Sequence, residues 1–135
     1  MDLEILNIAS NTKYNKVIKN CTHSSKCKSP ICGDVMEVYL KIINNKILDF
    51  GYQCKACIYC QASVSLLSTH SINKSKESLE NLIKVIDDFF DNKNIQFSNE
   101  CSIFKKLFKK KNISRKECLK LPFIALSKAL KKKYE

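Results

Sequence analysis

Arginine is almost missing from this chain: of 24 basic residues only Arg115 is one, and the others are lysines. A formal net charge of +11 points first to nucleic acid, because dense positive charge binds phosphate by releasing counterions. Bidentate readers of bases and phosphates, however, are arginines, so a nucleic-acid partner is not expected. The lysines accompany many asparagines and isoleucines, the bias of an A/T-rich coding sequence. Long apolar runs are missing too. Nothing approaches the ~18 to 20 residues of a secretory or membrane-spanning segment, and the opening MDLEILNIAS carries acidic residues instead of a basic start. The expectation is a cytoplasmic protein with no membrane partner. Glycine and proline number two each, so their positions inform strongly; Pro30, Gly33 and Gly51 all fall in the first 51 residues.

What the chain does have is cysteine, eight in 135 residues. That length suits one domain, 1–135, able to bury a core without disulfide staples. Without an export signal, eight cysteines read as reduced thiols serving as ligands or nucleophiles, against the plainer alternative that free cysteine is a small buried hydrophobe.

The element pattern is mixed. Residues 35 to 43, VMEVYLKII, and 47 to 52, ILDFGY, flank the polar Asn44-Asn45-Lys46 and read as an antiparallel hairpin. From Cys57 the period lengthens to a helix over about 57 to 70, with Ile58, Ala62, Leu66 and Thr69 on one face and small residues permitting close packing. Ser75 is a candidate N-cap for a helix reaching Phe90, with Leu79, Leu82, Ile83, Ile86 and Phe90 at helical spacing. Further helices are expected around 101–108 and over 118–132, the latter with Pro122 in its first turn, and a short one over 10–19. The lysine runs at 109–111 and 131–133 read as solvated ends. The fold class is α+β: a small antiparallel three-stranded sheet, its third strand from 26 to 31, covered on one face by several helices, with any metal site at one end of it.

The cysteines group in three ways. Cys54, Cys57 and Cys60, in "QCKACIYCQAS", form a Cys-x-x-Cys-x-x-Cys run of the kind that wraps a cluster when it lies in a loop, although here it spans a strand end and a helix start. A long-range set starts from "PICGDV": Gly33 allows a sharp turn, so Cys32 and Asp34 can aim at one ion. Cys57 and Cys118, at two helix starts where the dipole favours thiolate, complete an S3O set suited to zinc or an iron-sulfur cluster. In the third, the thiols are only buried.

Three separated segments, in order, resemble the U-type iron-sulfur cluster scaffold family, the NifU N-terminal domain, IscU and SufU: "CGDV" at 32–35, "FGYQCKACIYCQASVSLLSTH" at 50–70 and "SRKECLKLPFIALSKAL" at 114–130. The likeness covers roughly residues 10 to 131. It implies a NifU/IscU-like fold and a cluster-binding or metal-binding set of Cys32, Asp34, Cys57 and Cys118. It also implies a non-enzymatic scaffold that takes persulfide sulfur from a cysteine desulfurase, with Cys118 as acceptor, binds iron and a labile cluster, and hands it to apo iron-sulfur proteins. Asp34, a harder donor than thiolate, suits release.

Two departures matter. Members resembling IscU carry histidine before the third cysteine and a Pro-Pro motif ahead of it; this chain has Glu117 and "KNISRKEC". With Arg115, the spacing looks more like the SufU-type branch, whose four positions hold Zn2+ and which acts as a sulfurtransferase partner of the desulfurase. Cys54 and Cys60 could relay sulfur to Cys57 but read first as structural thiols, as do Cys21, Cys27 and Cys101. His70 reads as a surface or core histidine and not a ligand, His23 as a loop residue, and Lys55 and Arg115 as exposed charges that could favour thiolate.

Overall fold

The computed structural model describes residues 2–131. Three strands, β1 (His23–Lys28), β2 (Val35–Ile43) and β3 (Lys46–Lys55), form an antiparallel sheet in the order β1-β2-β3. Four helices follow the chain as α1 (Leu3–Ala9), α2 (Ile58–Ser71), α3 (Lys76–Phe90) and α4 (Lys116–Lys131), with 3-10 segments at Asn99–Lys106 and Lys110–Arg115 between the last two. No helix among the described residues is long and apolar enough to cross a membrane.

The hairpin turn is set by Asn44 and Asn45, both at positive φ (52° and 65°), the pairing a two-residue turn between twisted strands requires. Alternation then places Met36, Val38 and Leu40 of β2 at 0 % exposure, while Glu37 and Tyr39 lie on the open face. α4 packs on β1 and β2, and α2 packs on β3 and α4. Gly51 is where the N-terminal segment crosses β3: a Cβ there would lie 2.5 Å from the Lys16 carbonyl oxygen. The Tyr52 amide donates to the Tyr14 carbonyl at 3.0 Å, so this segment covers part of an edge strand.

Several sequence expectations are corrected. The third strand runs over His23–Lys28 and not 26 to 31, which makes His23 a buried strand residue, its Nδ1 2.7 Å from the Thr22 hydroxyl. The N-terminal helix is Leu3–Ala9; residues 10 to 19 are turns. Asp2 caps that helix by accepting from the Glu4 amide, and Ile5 and Ala9 are its buried contacts. α2 has no single apolar face. Ala62, Ser63, Val64, Leu67 and Ser68 are all buried while Thr69 is exposed, because serine hydroxyls donate to carbonyls and let the helix sit in the core on several sides. Residues 101 to 108 are largely 3-10, and the run at 109 to 111 enters a second 3-10 segment. α4 begins at Lys116, so Pro122 lies inside it, beyond the first turn.

Candidate metal and sulfur centre

The centre lies at one end of the sheet, where β2 begins and β1 and β3 end; Val35 pairs with both Lys28 and Lys55 there. Ser29, 3 % exposed, builds the turn that leads into it. Its amide donates to the Asp34 carbonyl at 2.8 Å and its carbonyl accepts from the Gly33 amide at 3.0 Å. Its hydroxyl accepts from the Ile31 and Cys32 amides, both at 3.4 Å. Gly33 has φ 75°, a left-handed conformation that a side chain would strain. Ser29 was overlooked in the sequence, although Ser-Pro at 29–30 is a turn signal.

This turn brings the Cys32 sulfur and an Asp34 carboxylate oxygen together with the Cys118 sulfur, all within 4.8 Å of one another. Ligands of one tetrahedral zinc ion, with bonds of about 2.0–2.3 Å, stand about 3.3–3.8 Å apart, so small side-chain movements suffice to bring the three onto one ion. Two sulfurs and one oxygen suit zinc or iron in a cluster. Cys32 is exposed, Asp34 half-buried and Cys118 buried; the centre therefore faces solvent on the Cys32 side.

Cys57 stands beside this trio. It is the N-cap residue of α2, its side chain makes no capping bond, and its amide donates to Asp34 Oδ2 at 3.2 Å. Burial, then contact with the Cys57 thiol and the charges of Cys57, Cys32 and Asp34, push the Cys118 thiol up. The dipole argument for thiolate at Cys118 is thus outweighed. α4 follows directly from a 3-10 segment, the Lys116 amide already bonded to Ile113, which leaves no free helix end. A bound cation would reverse the balance.

The local run Cys54, Cys57 and Cys60 is not a converged ligand group; among the described residues only Cys32, Asp34 and Cys118 form one. Cys60 is 0 % exposed and burial above all pushes its thiol up, reinforced by the charges of Cys54, Asp34, Cys57 and Cys118. Cys54 is half-buried and shifted the same way by burial and Asp34. Nearby Tyr52 is pushed up to about 12 by burial and by Cys54. Arg115 lies 4.8 Å from the centre of the Tyr59 ring, a cation–π contact that ties the entry of α4 to the start of α2; Tyr59 gave no signal in the sequence. Ser63 adds a second tie, its hydroxyl donating to the Leu119 carbonyl at 2.7 Å. Cys27 is buried in β1, and Cys21 and Cys101 are half-buried away from the trio. Lys55 is exposed at the end of β3.

A turn-borne Cys-x-Asp facing a thiol on a distant helix, on a three-stranded sheet with helices on one face, defines a small α+β protein with a candidate metal centre at one end of its sheet. The family model described as "NifU-like N terminal domain" matches residues 3–134, and the chain belongs to that family, the U-type iron-sulfur cluster scaffolds. It is 26 % identical over 128 residues to the iron-sulfur cluster assembly scaffold protein IscU of Thermotoga maritima, covering 95 % of this chain and 90 % of that protein. In fold it is similar to a SUF-system scaffold structure, FiSufU, from Fervidobacterium islandicum AW-1 (TM-score 0.86, 24 % identity, 96 % of each chain). A NifU-like N-terminal structure from Brucella abortus is similar as well (TM-score 0.85, 21 % identity, 96 % of this chain and 91 % of that one).

Proposed function

We propose that this protein assembles iron-sulfur clusters: it accepts sulfur from a cysteine desulfurase, binds iron and the growing cluster, and passes the product to apo iron-sulfur proteins in the cytoplasm. Residues 1–135 act in this as one domain. Cys32, Asp34, Cys57 and Cys118 are the ligands and Cys118 the first persulfide acceptor. The observation that carries this reading is the gathering of Cys32, Asp34 and Cys118 within 4.8 Å at the open end of the sheet, in a chain related to a protein named as a cluster assembly scaffold. Cargo must be held long enough to build and loosely enough to leave. A carboxylate in place of a fourth thiolate favours leaving, because soft iron-sulfide iron prefers sulfur.

Anaerobic reconstitution with iron and sulfide tests it. The expected result is a visible-absorbing cluster that transfers to apo-ferredoxin, and a longer-lived cluster in Asp34→Ala; faster loss in that variant would refute the role given to the carboxylate. A second reading, a zinc-dependent sulfur acceptor that stimulates the desulfurase, is favoured by the S3O donor set and by Glu117 standing directly before Cys118. Tightly held zinc, no transferable cluster and faster desulfurase turnover would select it.

A further inference from the structure

The proposed function leaves Cys60 without a task, yet Cys57 and Cys60 are a Cys-x-x-Cys pair at the start of α2. Cys57 is the N-cap, with extended backbone (φ −67°, ψ 168°) and no capping bond from its side chain. Cys60 is the third helical residue, one turn on. Residues three apart on a helix have Cβ atoms about 5–6 Å apart and a disulfide needs them about 3.5–4.5 Å apart, so an approach of about 1–2 Å closes the pair. Cys57, an N-cap with extended backbone outside the helix, is the residue placed to make it. The two are unequal: Cys57 is half-buried beside Cys118, whereas Cys60 is wholly buried and out of reach of external thiols. Cys54 and Cys57 are both thiol neighbours of it, and of the two Cys57 is the one in contact with Cys118. The pair also sits where reducing power is needed, since the outer sulfur of a persulfide is formally zero-valent and must gain two electrons to become sulfide.

We propose that Cys57 and Cys60 are a redox-active dithiol that reduces sulfur delivered to the centre to sulfide, closing to a Cys57–Cys60 disulfide. This rests on the sulfur-accepting reading above. The Cys57 thiolate attacks the outer sulfur of a Cys118 persulfide; the bond to Cys118 breaks, and the Cys118 thiolate takes up the proton Cys57 gave up. Cys60 then attacks the inner sulfur of the new Cys57 persulfide. A bond forms between the two cysteine sulfurs, the bond to the outer sulfur breaks, and that sulfur leaves as hydrosulfide, which takes the Cys60 proton to become hydrogen sulfide. Two thiols are oxidised and one sulfur atom is reduced, by ordinary exchange chemistry. A dithiol reductant of the thioredoxin class reopens the pair.

The full chain, stripped of metal without oxygen, is treated with glutathione persulfide and freed of small thiols. Wild type is expected to release about one sulfide per chain, whereas Cys60→Ser releases at least about tenfold less and retains the added sulfur. Tryptic peptide 56–74 contains only Cys57 and Cys60, so a loss of about two mass units in it reports the disulfide without ambiguity. Zinc binding and circular dichroism unchanged in Cys60→Ser show that the variant folds. In glutathione redox buffers without persulfide, the pair should titrate as a two-electron couple that Cys60→Ser lacks. Equal sulfide release by both proteins, or no oxidation in those buffers, overturns the proposal alone. Persulfide forming on neither protein overturns the sulfur-accepting reading and with it the task given to the pair.

Discussion

The two ends of α2 each bring a cysteine against another metal-capable side chain, and they are built differently. At its N-terminus, Cys57 adjoins the Cys32, Asp34 and Cys118 group, which is held by an irregular turn and open to solvent at Cys32. At its C-terminal end, His70 Nε2 lies 3.9 Å from Cys101 Sγ, a pair of residue types equally able to bind a metal. There the imidazole packs edge-on against Phe104, ring centres 5.2 Å apart, and no third donor joins it among the described residues. Phe104 itself touches Phe97, Phe108 and Phe123. Ligand-type residues become a site where the backbone leaves donors converging and accessible; inside an aromatic cluster they are core. That contrast predicts where substitutions cost stability and where they cost binding.

The largest expected effect lies at the packed end. Phe104→Ala should lower unfolding free energy by about 3–5 kcal/mol, read by urea denaturation, while changing zinc affinity of the folded protein by less than about twofold. A comparable loss of metal affinity would break the distinction between the two ends. At the open end the pattern should invert: Cys32→Ser, Cys57→Ser or Cys118→Ser should reduce metal affinity about 100-fold or more, since even supporting residues around a metal cost 10–100-fold. Cys101→Ser should leave metal content as it was, measured on protein purified without oxygen. Ser63→Ala sits between these extremes. It removes the buried bond from α2 to the Leu119 carbonyl, next to Cys118, and should cost about 1 kcal/mol of stability together with a smaller fall in metal affinity.

How much of this was legible in the sequence differs by region. The hairpin was readable because Asn-Asn is turn chemistry, and α3 because Ser75 caps it, its hydroxyl accepting from the Ser78 amide at 3.1 Å. The centre was harder. Spacing alone kept the run Cys54, Cys57 and Cys60 and the distant set Cys32, Asp34, Cys57 and Cys118 in competition, since no local rule says that a turn before β2 will meet the first turn of α4. Only the order of three motifs favoured the distant set. α2 defeated periodicity because its serines satisfy themselves on backbone carbonyls, Ser71 on Leu67 and Ser68 on Ser65, so polar positions could be buried. The segment around residues 101–108 was misread in kind: Cys101, Phe104, Leu107 and Phe108 keep helix-like spacing, while the chain takes tighter 3-10 turns over Asn99–Lys106.

The smallest predicted effect separates the two ends by pH. Burial, reinforced by Lys74 and opposed by Glu100, holds the His70 imidazole below its usual value of 6.5, which keeps it neutral against Phe104. The unfolded chain therefore binds a proton at His70 more readily than the folded one, and stability rises with pH in that range. The contribution is fully present above about pH 6.5 and is lost as pH falls below that value toward the lower folded one. Urea midpoints of metal-free protein should accordingly fall between about pH 7 and pH 5, and His70→Phe should flatten that slope while Cys101→Ser, which leaves the ring and its burial in place, should not. A slope unchanged in His70→Phe would mean that the imidazole is not held neutral by its packing, and the description of His70 as a core residue would have to be abandoned.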